Sequence, residues 1–441
     1  MRISFFFCTF ARFLSAMRTH AMYFYILLIR IAAFFGHRKA RLMIAGQKEL
    51  KANIEQLKAY EGSVWVHVSS VGEFEQARPL IEQLRSKKEN LKIVLTFFSP
   101  SGYELRKNYD KVDAVYYLPF ATRRNAKRFL DNLQPQKAIF VKYEFWPAYL
   151  RELKKREIPT YSISAIFRPG QLFFRPWGKW YLKLLHCFTH LYVQDTDSLE
   201  LLQSHGIQHC SISGDTRFDR VRDVMAAMAN SENTRAERLA PIAQFVRGCE
   251  RVIIAGSSWP KDEELLARYV ESKNEQANEG VKLILVPHEI HEEHMHYIFN
   301  LLKGRFVRYS TLADRTPDER QNLIQHAQVL VVDTIGLLSS IYQFGQVAYI
   351  GGGFGVGIHN TIEAAVYGVP VIFGPNYHHF REAKGLIAAG AARSIQNYAE
   401  LEAALDTALE QHEAIGAKAA VYVASETGAT AKIYAELFGN L

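Results

Sequence analysis

Cysteine is scarce. The chain has four in 441 residues (Cys8, Cys187, Cys210 and Cys249), far apart and with no C-x-x-C. That excludes a disulfide framework and a zinc ribbon and fits a reducing compartment. Also lacking is an apolar run long enough to span a membrane. The N-terminal stretch is rich in Phe, Tyr, Ile and Leu, but Arg12, Arg18 and Arg30 interrupt it. Its longest uncharged run, Ala21 to Ile29, falls well short of the roughly 20 residues of a spanning helix. Tolerating Arg30 extends the run only to Phe35, and the basic cluster 37–41 (HRKAR) ends it. No small-residue cleavage site follows a clean apolar core, which argues against a secretory signal. Net charge is lacking on the body of the protein. Residues 1–60 hold ten Lys/Arg and two acids, which accounts for the whole net charge of +8. A nucleic-acid binder carries its basic surface on the folded domain. Here the excess sits on an apolar arm, which points to an anionic membrane surface. The expectation is a shallow, monotopic anchor over residues 1–45, facing the cytoplasm. The alternative is a single span with Arg30 snorkelling. Met22 is an alternative start to Met1.

Beyond the arm, apolar strand candidates alternate with helical patterns. They are Val64–Val68, Ile93–Phe97, Val115–Leu118, Ala138–Val141, Thr160–Ile163 and Leu191–Val193. Helical patterns such as Glu75–Lys87 and Asn125–Asn132 separate them. This alternation predicts an α/β fold with a parallel sheet covered on both faces. A polar, charged stretch then shows no strand signal, and the pattern restarts at Val252–Ala255, Lys282–Val286, Val329–Val332, Val347–Ile350 and Val369–Phe373. The reading is two doubly wound, Rossmann-like domains with a ligand cleft between them. The first covers 46–220 and the second 249–420, joined by a connector at 221–248. A helical segment, 421–441, packs back on the first domain.

The chemistry-bearing residues fall where strands end. The first strand runs into VHVSSVGEFEQARPL, which makes Glu73 a candidate general base after Ser69, Ser70 and Gly72. A plain helix-start acid is the competing reading. Glu144, in KYEFWPAYL, follows the Ala138–Val141 strand among aromatics, and it too could be a helix-start acid, with Pro147 at N1. Arg217, in SGDTRFDRV, suits a phosphate or carboxylate, or a surface ion pair. In the second half AGSSWPKDEE supplies Ser257 and Ser258 before a helix start that could receive an anion. VPHEI and VVDTIGLLSS repeat that geometry; together such loops could form a nucleotide pocket without a P-loop. The densest signal is VAYIGGGFGVGIHNTIEAAVYGVPVIFGP, 347–375. It reads as a strand, a glycine turn including Gly352 and Gly353, a helix Asn360–Tyr367 and a second strand. Glycines admit close backbone approach to a ligand. Glu363, in the first turn, is suited to sugar hydroxyls rather than phosphate. Two apparent metal motifs are better read otherwise. Asp195-Thr196-Asp197 is a helix cap. HEIHEEHMH matches no full zinc signature, because Glu292 stands where H-E-x-x-H needs histidine. The segment Ile166–Phe188 mixes Arg168, Arg175, Lys179 and Lys183 with seven aromatics, either as core or as a membrane-interface patch.

In order along the chain, SSVGEFEQARPL, TFFSPSGYE, YEFWP, SGDTRFD, GSSWPKDEE, VPHE, DTIGLL and GGGFGVGIHNTIEAAVYGVPVIFGP resemble the 3-deoxy-D-manno-octulosonic acid (Kdo) transferases. These are membrane-associated GT-B glycosyltransferases of lipopolysaccharide synthesis. The resemblance implies inverting transfer of Kdo from CMP-Kdo to a hydroxyl of a lipid A precursor at the inner membrane. CMP leaves, and no metal or other cofactor and no nucleic acid take part. Glu73 corresponds to the base, and Glu144 and Arg217 to groups that help the transition state. Pro287, His288, Ile335, Gly336, Leu337, Asn360, Thr361, Ile362 and Glu363 correspond to CMP contacts. The chain departs from the family pattern at four places. Lys142 replaces the first acid of E-x-E-L-W-P, and Arg217 replaces a common lysine. His288 replaces a common arginine, which makes that contact pH-dependent. Leu337 replaces a usual acid. The alternatives are a GT-B transferase using a UDP- or GDP-sugar on a lipid acceptor, and a non-catalytic nucleotide-sugar-binding protein.

Overall fold

The computed structural model describes residues 20–230, 234–276 and 280–439. Met1, Arg2, Cys8, Arg12 and Arg18 lie outside the described residues. The chain divides into two compact units, Met1–Arg220 with Thr427–Leu441, and Val221–Glu426.

The first unit is built on seven parallel strands: β1 (Val64–Val68), β2 (Ile93–Phe97), β3 (Ala114–Tyr117), β4 (Lys137–Val141), β5 (Thr160–Ala165), β6 (His190–Val193) and β7 (Cys210–Ile212). Their order is β3-β2-β1-β4-β5-β6-β7. Strand order reverses between β1 and β4, which pair with His67 opposite Phe140. Ligands bind beyond the carboxyl ends of strands at such a reversal. The sequence VWVHV is apolar at nearly every position because both faces are covered, and all five residues are buried. Alternation sorts them: Trp65 packs with Phe129, Phe140 and Tyr149, and Val64, Val66 and Val68 pack under the helix Val71–Lys87. The helix Ala429–Phe438 closes that second face with Ile433, Tyr434, Leu437 and Phe438. Its start is pinned by Asp219, whose carboxylate accepts from the amides of Gly428 (2.6 Å) and Thr430 (2.7 Å). The return to the first unit therefore begins at Thr427, not at 421. The helix His412–Glu426 belongs to the second unit, where Glu426 receives a bidentate Arg381.

The helix His20–Phe34 buries Met22, Tyr25 and Ile29 in the core that holds Trp65. Its other side exposes Tyr23, Phe24, Leu27, Ile31 and Phe34, and Phe35 just beyond it is exposed as well. Fifteen residues make about 22 Å of helix, against roughly 30 Å of bilayer hydrocarbon. Among the described residues no helix is long and apolar enough to cross a membrane.

The second unit repeats the plan with β8 (Val252–Ser258), β9 (Lys282–Pro287), β10 (Phe306–Arg308), β11 (Val329–Val331), β12 (Val347–Ile350), β13 (Val371–Phe373) and β14 (Ala392–Ser394). The order is β10-β11-β9-β8-β12-β13-β14, all parallel, with the reversal between β8 and β12. Much of the stretch read as a connector is helix Thr234–Val246, and it is part of this unit. Ile242 and Phe245 are buried, Tyr309 Oη donates to the Arg238 carbonyl (2.8 Å), and Gln244 donates to the Pro317 carbonyl (2.7 Å). Truncating Ile433 to alanine should leave a cavity under β1 and destabilise the first unit by about 2–4 kcal/mol, read as a lower urea midpoint.

Candidate active site

In the first unit, three strand-end segments carry the polar groups. After β1, Ser70 caps the helix Val71–Lys87 by accepting from the Glu73 amide (3.5 Å), and Glu73 Oε2 accepts from the Ser69 amide (2.6 Å). Glu73 is thus a helix-start acid by geometry and a buried carboxylate by environment. A side chain on Gly72 would meet nothing within 4 Å, so the helix start is open beside it. After β4, Lys142 adopts a left-handed backbone (φ 61°), which costs a non-glycine residue energy and marks a constrained loop. Two residues on, Glu144 is 1% exposed. Its Oε2 accepts from Trp146 Nε1 (2.6 Å) and contacts His67 Nε2 (3.0 Å). After β7, Arg217 lies on Asp215 Oδ2 through Nε (2.9 Å) and Nη2 (2.7 Å). Gln76, one turn after Glu73, donates to Asp215 Oδ1 (3.1 Å). That bond ties the Glu73 helix to the Arg217 turn. Burial opposes the charge on Asp215, but Arg217 overrides it and holds the carboxyl down at about 2.

In the second unit, β8 ends with Ser257 in a left-handed conformation (φ 53°) and Ser258 buried. The helix start that follows, Pro260–Gln276, is occupied by its own acids instead of standing ready for an anion. Asp262 accepts from the Trp259 amide (3.0 Å), the Gly352 amide (2.9 Å) and Tyr349 Oη (2.7 Å). Glu263 takes the Ser258 hydroxyl (2.9 Å) and faces His294 Nε2 (2.9 Å). Burial pushes both carboxyls up. Two glycines of the dense turn are required by the protein's own packing. A Cβ at Gly351 would lie 2.2 Å from the Ser257 carbonyl, and one at Gly353 would lie 2.6 Å from the Gly374 backbone. The helix expected at Asn360–Tyr367 is a single turn, Ile362–Ala365. Asn360 orders it by accepting from the Ile362 amide (3.1 Å) and donating to Glu363 Oε1 (2.9 Å).

His288, directly after Pro287 at the end of β9, lies between two rings. Trp259 is on one side (4.9 Å, 22°) and His359 on the other (4.4 Å, 25°), and Trp259 Nε1 donates to His359 Nε2 (3.1 Å). Burial lowers the His288 pKa, and burial together with His288 drives His359 down to about 4. Ile335 is 83% exposed, Gly336 has φ 89°, and Leu337 turns into the core, as does Ile362. Thr361 is buried too.

Asp195 caps the helix Thr196–Ser204 through the Ser198 amide (2.8 Å), and His291 caps Glu292–Leu302. Among the described residues no group of three His, Cys, Asp or Glu could hold a metal ion. In the Ile166–Phe188 segment, Phe167, Phe173, Tyr181 and Phe188 are core, and Trp177 and Trp180 face solvent. Sequence reasoning missed His67, Asp215, Asp262, the Glu263–His294 pair and His359. His67 did leave a signal, a lone polar residue inside an otherwise apolar strand.

Two sheets of this order define the GT-B class, and solved structures agree. UDP-GlcNAc 2-epimerase of Neisseria meningitidis superposes with a TM-score of 0.62 at 14% identity, covering 86% of this chain and 100% of its own. MurG of Acinetobacter baumannii gives 0.52 at 12%, covering 86% and 99%. At such identities the likeness is one of fold. The family model described as 3-deoxy-D-manno-octulosonic-acid transferase (kdotransferase) matches residues 36–220. The 3-deoxy-D-manno-octulosonic acid transferase of Aquifex aeolicus is 28% identical over 354 residues, 79% of this chain and 86% of its own. Those of Rickettsia typhi (26%; 87% and 78%) and Haemophilus influenzae (27%; 72% and 72%) are similar. Over most of its length the chain is similar to Kdo transferases, which supports a glycosyltransferase, and its fold is GT-B.

Two pH effects follow. The Asp215 carboxyl sits below its ordinary 3.8, so its contribution is present above that value and lost as pH falls towards about 2. Arg217→Met should move the acid-unfolding midpoint to higher pH. His359 is held neutral down to about 4, whereas the unfolded chain protonates near 6.5. Stability should therefore fall as pH drops between about 6.5 and 4. His359→Gln should flatten that slope in thermal melts taken across the window.

Proposed function

We propose that the protein transfers Kdo from CMP-Kdo to a hydroxyl of a lipid A precursor, with inversion and release of CMP, in lipopolysaccharide synthesis. The observation that carries this reading is Glu73, a buried carboxylate held by the Ser69 amide beyond β1, where strand order reverses. Glu73 takes the acceptor proton as C2 of Kdo gains oxocarbenium character. One base serving one displacement gives inversion. Arg217 and Glu144 favour the developing charge, without a metal ion. On the donor side, Glu363, oriented by Asn360, accepts from ribose hydroxyls. Pro287, His288, Ile335 to Leu337, and Thr361 and Ile362 line the CMP site, the buried members Leu337 and Ile362 through their backbone. Because burial keeps His288 neutral, it contacts phosphate by a hydrogen bond and not by charge. Glu73→Gln should abolish Kdo transfer while CMP-Kdo still binds, measured by product mass and equilibrium binding. Substantial residual turnover sinks the assignment of the base.

The acceptor class fits the arm. The exposed Tyr23, Phe24, Leu27, Ile31 and Phe34 stripe, followed by Arg38, Lys39 and Arg41, suits the cytoplasmic face of the inner membrane with its anionic lipid. Leu27→Asp with Phe34→Asp alters only exposed positions. The pair should lower co-sedimentation with anionic vesicles and leave the melting temperature unchanged. Full retention would assign the contact to another surface, such as that of Trp177 and Trp180.

A further inference from the structure

We propose that His67 is a positioning residue for transfer, acting through Glu144 by a fixed tautomer. His67 lies in the middle of β1, fully buried. Its Nδ1 is 2.9 Å from Thr96 Oγ1, and its Nε2 is 3.0 Å from Glu144 Oε2. Thr96 Oγ1 also receives Trp65 Nε1 at 2.8 Å. An indole nitrogen can only donate, so the threonine oxygen is the acceptor there. The hydroxyl has one hydrogen, and among the described residues its only remaining partner is His67 Nδ1. Thr96 therefore donates to Nδ1, and the imidazole carries its own hydrogen on Nε2; Trp146 Nε1 also lies 3.0 Å from Nε2, but its one hydrogen goes to the nearer Glu144 Oε2 at 2.6 Å. That hydrogen points at Glu144.

Two donors thus converge on Glu144 Oε2: His67 Nε2–H and Trp146 Nε1–H. Two donors on one oxygen mean that Oε2 carries no hydrogen of its own and acts there only as an acceptor. The chain Trp65–Thr96–His67–Glu144–Trp146 is closed at both ends by indoles, which have no second protonation state to offer. It holds the Glu144 side chain in one rotamer. Thr96 lies on β2, His67 on β1, and Glu144 follows β4, so the network spans the three adjacent strands at the reversal. The rings around it are apolar: His67 lies 5.7 Å from Phe140 and 6.3 Å from Trp146.

This inference rests on the proposed transfer reaction. Asparagine at position 67 reproduces Nδ1 and glutamine reproduces Nε2. The test compares kcat, KM and melting temperature for His67→Asn and His67→Gln, with Glu73→Gln and Glu144→Gln as references. His67→Gln should keep most of the wild-type kcat. His67→Asn should lose about a hundredfold in kcat, as misplaced catalytic groups do, with KM little changed and a melting temperature like that of His67→Gln. Equal kcat in the two variants overturns the inference. If neither folds, Thr96→Val, which releases Nδ1, takes their place. It should lower kcat at constant KM, and an unchanged kcat overturns the inference equally. A fully active Glu73→Gln instead overturns the reading of the reaction, independently of His67.

Discussion

A carboxylate taken out of water must find its hydrogen-bond donors inside the protein, and the loops of both units are arranged around that requirement. Glu73, Glu144, Asp215, Asp219, Asp262 and Glu263 are all buried. Each is met by backbone amides, indole or hydroxyl groups, or a cation from a neighbouring segment. These bonds do more than satisfy the acid. They fix which segment lies beside which: Asp262 joins β8, β12 and the glycine turn, and Asp215 joins the Glu73 helix to the Arg217 turn.

The two units solve the same local problem and use it differently. Each sheet reverses order beside its first strand, and each first strand runs through a pair of serines into a helix that begins with acids. In the first unit the acid folds back on its own loop, and a glycine leaves space beside it. In the second unit the acids reach across to the next strand and its glycine turn. The first arrangement leaves open space beside a buried carboxylate. The second spends its carboxylates on holding a loop in place, while His288 and Glu363 stay partly exposed beside that scaffold.

The fold was largely legible because strands buried on both faces must be apolar along their whole length. The Val64–Val68 and Val347–Ile350 segments could hardly be read otherwise. Strands β7, β10 and β14 escaped notice because three residues at a sheet margin carry no period. Glu73 and Glu144 were visible as acids at strand ends. His67 was not recognised, because its partners are 29 and 77 positions away and a histidine in a strand looks like core. The glycine turn was recognised as important, but two of its glycines serve backbone packing within the protein. Its helix was overestimated because the Asn360 side chain, and not a continued helix, orders the segment before Ile362.

The helix Ala429–Phe438 covers a sheet whose strands all precede the second unit. On a ribosome, that helix emerges only after the whole second unit. Until then the first sheet must wait with the apolar surface of Val64, Val66 and Val68 incompletely covered. The arm with its exposed aromatic stripe has by that time been out the longest. The order of elements in the sequence thus doubles as a schedule for assembly.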